Sequence, residues 1–227
     1  MDTLTAANAA LWENKLQKPY GRYPSEEMIR FLARTFRERQ KSEPVRILEL
    51  GCGPGANLWA ISREGYQVAG IDFSPTAIRR AAERMTEEGL PEADLKVGSM
   101  SSLPWPNDYF DAVIDVEGIC CNTWQVAVST VAEAERVLKP GGHVYSFLLG
   151  TKTSGRGSGR VIDDRGTETD FTAGVLQGSG ITHFFSEEEL RELFGNFTDM
   201  RTGFHDRKDA DHGWVIFDWV VKARKKV

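Results

Sequence analysis

Three short clusters hold most of the residues able to do chemistry. The first is Glu49-Leu50-Gly51-Cys52-Gly53-Pro54-Gly55-Ala56-Asn57, a carboxylate followed by glycines at alternate positions. Gly51, Gly53 and Gly55 let a backbone turn tightly and approach a ligand closely. The second is Asp72-Phe73. Asp72 lies downstream by about the interval at which an acid hydrogen-bonds both ribose hydroxyls of an adenosine. The third is Asp115-Val116-Glu117, at the end of an apolar run. Four histidines complete the inventory: His143, His183, His205 and His212. His183 and His205, with Glu117, are the candidate bases for an acceptor proton. His143 starts an apolar segment and reads as structural.

Alternating strand-like and helix-like segments must position these clusters, and that alternation predicts a doubly wound, mostly parallel sheet. Strands are expected at VRILEL (45–50), QVAGID (67–72), DLKV (94–97), FDAVIDV (110–116) and HVYSFLL (143–149). Helices are expected from Pro24 through Phe36, from Pro54–Ala56 to about Glu64, from Ser74 to Gly89, over Thr123–Leu138, and from the capping box Ser186–Glu189. Lys139–Gly142 reads as a helix stop. Two last strands, near 198–205 and 214–221, suit an antiparallel pair at the sheet edge. Residues 150–182, rich in Gly, Ser and Thr, break the rhythm. A loop that long inside one domain is commonly functional, so it is expected to form an acceptor pocket. Residues 1–23, with Trp12, Tyr20, Arg22 and Tyr23, read as an arm able to close over a ligand. The whole chain, 1–227, is expected to be one domain.

What the glycine turn binds is an electrostatic question. Gly51-x-Gly53-x-x-Ala56 also satisfies the relaxed dinucleotide pattern. A dinucleotide, however, brings a diphosphate to the helix N-terminus. Glu49, at the mouth of the first strand, repels a diphosphate and suits a ligand carrying an ammonium and a sulfonium.

At family spacing, four motifs fall in order: ELGCGPGAN; Asp72; Val97-Gly98-Ser99-Met100 with Leu103-Pro104 and Phe110-Asp111; and Val137-Leu138-Lys139-Pro140-Gly141-Gly142. Together they resemble the class I S-adenosylmethionine-dependent methyltransferases. Ser99 stands where many relatives carry Asp. The resemblance implies a Rossmann-like α/β fold with a seven-stranded, mostly parallel sheet, helices on both faces and the last strand antiparallel. It implies S-adenosylmethionine as cofactor, with the methionine and ribose portions along Gly51, Gly53 and Gly55 near Glu49 and Asn57. Asp72 would hold the ribose, and Phe73, Ser99 and Met100 would meet the adenine. Tyr20 and Arg22 would close from the arm. Asp115 and Val116 would lie beside the cofactor's ammonium.

Composition narrows the alternatives. The formal charge of −5 gives no basic footprint for nucleic acid. The three cysteines, Cys52, Cys120 and Cys121, form neither a disulfide framework nor a zinc pair, and no metal is expected. The apolar runs are too short to span a membrane. The first residues lack a basic start and apolar stretch, so a cytoplasmic location is expected. The expected activity is methyl transfer to O or N of a small polar metabolite, such as a sugar or natural-product intermediate. The competing readings are a NAD(P)-dependent oxidoreductase and a catalytically silent cofactor-binding partner subunit.

Overall fold

A computed structural model of the chain describes residues 3–16 and 23–227. Seven strands build one sheet in the order β3-β2-β1-β4-β5-β9-β8. They are β1 (Arg46–Leu50), β2 (Gln67–Asp72), β3 (Asp94–Val97), β4 (Phe110–Val116), β5 (Leu138–Leu149), β8 (Thr198–Lys208) and β9 (Val215–Arg224). Pairing is parallel from β3 to β5, and β9 runs antiparallel to both of its neighbours. The antiparallel strand is therefore inside the sheet and β8 forms the edge. The classical dinucleotide sheet, of order 3-2-1-4-5-6, has a parallel strand there.

Helices cover both faces. On one, α2 (Glu26–Gln40), α3 (Ala56–Arg63) and α4 (Pro75–Glu87) bury Met28, Leu32, Leu58, Ile61 and Met85 against Ile47, Ile114 and Tyr145. On the other, α5 (Trp124–Val137) and α6 (Glu187–Leu193) pack Ala127, Val131 and Leu190 on Leu48, Leu50 and Val113. The two faces separate by period: β1 sends Ile47 and Glu49 one way, Leu48 and Leu50 the other. α1 (Thr3–Lys15) lies outside these layers.

Caps set the helix starts. Ser25, Ser74, Thr123 and Ser186 each accept a backbone N–H with the side chain, and Ser186 with Glu189 completes the capping box. The first of these starts at Glu26, behind the Ser25 cap, rather than at Pro24. Lys139–Gly142, read from sequence as a helix stop, already belongs to β5. Both last strands run past their expected ends.

The segment 150–182 departs further from expectation. It contains a two-stranded ribbon, β6 (Arg160–Val161) with β7 (Glu168–Thr169). Glu168 gathers the segment by accepting from the backbone N–H groups of Gly157 and Gly159. Phe171 is buried against Phe184 in the core on the α5 side. These contacts fold the segment onto that face of the sheet.

Candidate functional site

The carboxyl ends of β1, β2 and β4 open into a cavity of about 830 Å³. This is the crevice where ligands bind in open α/β sheets. Its walls come from the glycine turn, the ends of β2 and β4, the start of α2, the inner face of α1 and the edge strand β8.

The glycine turn is held by the second strand. The Cys52 amide donates to the Ile71 carbonyl at 3.0 Å. The Gly53 amide donates to Asp72 Oδ2 at 2.9 Å, and the Ser74 amide to Asp72 Oδ1 at 2.9 Å. Asp72 is thus fixed in orientation, while burial still raises its pKa. Gly55 caps α3 at φ 82°, and a Cβ there would sit 2.9 Å from that of Ala81. Gly53 has φ 50° and open space where a Cβ would stand.

Glu49 is the most unusual group of the site. Its side chain is buried, and Oε1 accepts from Asn57 Nδ2 at 2.7 Å. Asn57 in turn accepts from the Ser25 amide at 2.8 Å, tying Glu49 to the start of α2. Oε2 is buried with no partner. Desolvation pushes the Glu49 pKa up to about 8, with the charges of Asp115 and Asp72 adding to it. A bare buried carboxylate oxygen at the cavity wall fits a cation and opposes a diphosphate.

Asp115 does not take the part expected of it. Its Oδ1 accepts from the amides of Gly118 and Ile119 at 2.9 and 2.8 Å, and Oδ2 from Ser146 at 2.6 Å. Burial raises its pKa to about 6, but all of its contacts are internal, and it shapes the turn after β4 without lining the cavity. Val116, Glu117 and Gly118 do line it. Glu117 holds a left-handed backbone, φ 59°, its amide bonded to the Phe147 carbonyl. Burial, with Asp218 nearby, raises its pKa to about 7 against the pull of Arg207. Its Oε1 lies 3.7 Å from Arg207 Nη2.

Of the remaining adenosine-side candidates, Phe73 and Met100 line the cavity. Ser99 does not: it is exposed and bonded to Ser101. Tyr20 and Arg22 lie outside the described residues. From the arm, Trp12, Leu16 and Tyr23 line the cavity. The arm is anchored by Asn8, which accepts from the Ile181 amide at 3.1 Å and donates to the Cys121 carbonyl at 3.3 Å. Lys15 donates to Ser179 Oγ at 3.3 Å.

Two expectations fail here. No residue of 150–182 lines the cavity. Among the described residues the segment bonds α1 through Ser179 and Ile181, while Phe171 packs into the core on the other face. His183 fails as a base for the same reason. It is buried, with Nδ1 bonded to Thr167 Oγ1 at 2.8 Å and its ring packed on Trp124 and Phe185. Burial lowers its pKa against the pull of Glu189, whose Oε1 lies 3.3 Å from Nε2, and the ring stands outside the cavity.

His205 does line the cavity, edge-on to Phe147 at 5.6 Å. Around it stand residues that sequence reasoning missed: Glu27 on α2, Arg207 on β8 and Asp218 on β9. Lys222 bonds Glu27 at 2.8 Å, and Arg207 bonds Asp218 at 2.8 Å. An acid inside the apolar run VIFDWVV was the available signal for Asp218. Among the described residues no group of three or more His, Cys, Asp or Glu could hold a metal, and no helix is long and apolar enough to cross a membrane.

Residues 47–142 match the profile of a methyltransferase domain. The chain is 34% identical over 101 residues to a phthiotriol/phenolphthiotriol dimycocerosates methyltransferase of Mycobacterium leprae, covering 44% of this chain and 36% of that one. It is 32% identical over 104 residues to the erythromycin 3''-O-methyltransferase of Saccharopolyspora erythraea, covering 44% of this chain and 33% of that one. The chain spans 36%, 56% and 33% of the lengths of three such curated relatives. In fold it is similar to an S-adenosylmethionine-dependent methyltransferase from Methanosarcina mazei, with a TM-score of 0.69 at 24% identity, covering 85% of this chain and 98% of that one.

Proposed function

We propose that the chain is a class I S-adenosylmethionine-dependent methyltransferase, as its methyltransferase-domain match supports, and that it transfers a methyl group to an oxygen or nitrogen of a small polar metabolite. The single observation that carries this reading is the bare, buried Oε2 of Glu49 beside the glycine turn. A carboxylate so placed lacks only a cation, and an amino acid's ammonium supplies one.

The residues present fit the cofactor. Glu49, oriented by Asn57, would accept from its ammonium. Asp72 keeps lone pairs free beyond its two backbone bonds and would accept from the ribose hydroxyls. Backbone of Gly51 and Gly53 would lie along the ligand, with Phe73 and Met100 against the adenine. When bound, S-adenosylmethionine supplies an electrophilic methyl group on a sulfonium. The protein then has to align the acceptor and exclude water, a contribution that reaches about 7–11 kcal/mol in well-oriented reactions. Trp12 and Leu16 of the arm, which line the cavity, would do the excluding. Glu117 and His205 stand at the acceptor end, where a proton must leave. The mixed charges there, Glu26, Glu27, Arg30 and Arg207, support a polar acceptor.

Calorimetric titration with S-adenosylhomocysteine tests the reading, with NAD in a parallel cell. Saturable binding of the former, weakened in Glu49→Gln, is expected. Tight NAD binding with none for S-adenosylhomocysteine would restore the oxidoreductase reading. Methyl release over a panel of sugars, amines and acids separates an enzyme from a silent partner subunit.

A further inference from the structure

Asp218 lies in the middle of the apolar run of β9, and its side chain is fully buried. A buried carboxylate is costly unless both oxygens are partnered. Oδ2 is partnered by Arg207. Oδ1 is buried with no partner. The residue directly opposite Asp218 on the β8–β9 ladder is His205. Directly opposed side chains share a face of the sheet, with Cβ atoms about 4.5–5.5 Å apart, a span that one hydrogen bond can bridge; in this structure the two side chains are not bonded and Oδ1 is bare. Burial raises the Asp218 pKa against the pull of Arg207. The other acids near His205 differ. Glu27, on α2, is held by Lys222 of β9, and Glu117, after β4, faces Arg207 of β8. Of these three acids, Asp218 alone has a buried oxygen left bare.

We propose that the acceptor is a hydroxyl whose proton passes to His205, and that Asp218 is the positioning residue that fixes the tautomer of His205. The proposal rests on the methyl-transfer reading above. Asp218 Oδ1, unpartnered here, would accept from one ring N–H once the His205 ring turns toward its ladder partner, leaving the other ring nitrogen bare toward the cavity. In the transfer, the acceptor oxygen bonds the methyl carbon. The carbon–sulfur bond breaks with its electron pair going to sulfur. The hydroxyl proton goes to the bare nitrogen, and Asp218 balances the imidazolium. A neutral amine attacks without first losing a proton, so a base held by a buried acid is idle for nitrogen acceptors.

Nitrogen-15 NMR of the histidine side chains tests this, on the full chain with and without S-adenosylhomocysteine, with the His205 signals assigned through His205→Gln. One neutral tautomer is expected in the wild type and a mixture in Asp218→Asn. Arg207→Gln removes the same ion pair but keeps the acid. It should retain the single tautomer, which a merely structural role for Asp218 does not predict. With S-adenosylmethionine and a panel of alcohols, phenols and matched amines, methylation should fall on oxygen. Asp218→Asn should then lower kcat by roughly 100-fold or more, with KM within about threefold. A wild-type His205 that populates both tautomers overturns the proposal, as does methylation of amines alone. If Asp218→Asn fails to fold, the wild-type tautomer and the acceptor panel still decide. If S-adenosylhomocysteine does not bind, the methyl-transfer reading falls, while the ligand-free spectrum still reports on the His205–Asp218 pair.

Discussion

The two ends of the cavity are built on different principles. At the end proposed for the cofactor, short turns after β1 and β2 fix both acids through backbone or side-chain amide donors, with no cationic side chain among the described residues bonded to either. Asp72 is held by two amides, Glu49 by Asn57, and one oxygen of Glu49 is left bare. At the end proposed for the acceptor, side chains from α2, β8 and β9 pair with one another: Glu26 with Arg30, Glu27 with Lys222, Arg207 with Asp218. A ligand common to a whole family can be met by backbone geometry. A ligand particular to one member is met by side chains that change without disturbing the turn.

The sharpest break of that comparison is Glu49→Gln, because it separates stability from binding. Glu49 has a folded pKa of about 8 against an unfolded value of 4.5. A carboxyl raised in the folded state contributes stability that is complete below the unfolded pKa and lost as pH climbs through the folded one. Between these values the folded protein binds the extra proton, so stability falls with rising pH. Asp115 and Glu117, raised to about 6 and 7, act in the same direction. For Glu49 the loss is on the order of 4 kcal/mol by pH 8. Glu49→Gln should therefore raise Tm at pH 8 and change it little at pH 4.5. The same substitution should weaken S-adenosylhomocysteine. Binding of an ammonium must expel the Glu49 proton, so wild-type affinity should rise up to tenfold per pH unit between about pH 6 and 8. Calorimetry in Glu49→Gln should show a flat profile, and an unchanged slope would place the ammonium elsewhere.

Next in size is Asp72→Ala. It removes two charged acceptor positions and should weaken S-adenosylhomocysteine by roughly 1–3 kcal/mol, read as a roughly 5- to 150-fold rise in Kd. An unchanged Kd would remove Asp72 from the ribose site.

The same division explains what was legible before the fold was known. Glu49, the glycines and Asp72 are contiguous or at a fixed interval, because one strand–turn–helix unit and the next strand carry them. The sheet is legible for the same reason, since its parallel strands are near-continuous apolar runs. The acceptor end is not local. Glu27, Glu117, Arg207 and Asp218 come together only when β9 inserts between β5 and β8, and no spacing in the chain encodes that. His183 and His205 look alike in sequence, each beside aromatics. Only folding sends one into the core beside α5 and the other to the cavity. The role expected of 150–182 failed because Phe171 and the Glu168 bonds dock it on the far face, which leaves it an anchor for α1.

Two glycines sharpen the comparison within the cofactor end. Gly55→Ala places a Cβ 2.9 Å from that of Ala81, at φ 82°. It should cost about 1–3 kcal/mol of stability, read by urea denaturation. Gly53→Ala meets no atom within 4 Å and has φ 50°. It should cost less stability than Gly55→Ala, yet weaken S-adenosylhomocysteine more, because its methyl stands in the ligand's space. Equal stability losses with equal affinities would mean that the turn is scaffold alone.

The smallest expected effect belongs to Glu26→Gln. Glu26 and Arg30 line the cavity and form an exposed i,i+4 pair, with 78% and 59% of their side chains accessible. Such pairs contribute about 0.3–0.5 kcal/mol, so stability should stay within about 0.5 kcal/mol of wild type. The S-adenosylhomocysteine Kd should hold within about twofold, because Glu26 shares no bond with Glu49 or Asp72. If α2 contributes to acceptor choice, the acceptor KM alone should move, by a few-fold, since Arg30 is then released toward the cavity. A shift in cofactor affinity without one in KM would reverse the assignment of the two ends, because it would give α2 to the cofactor and leave the acceptor to β8 and β9.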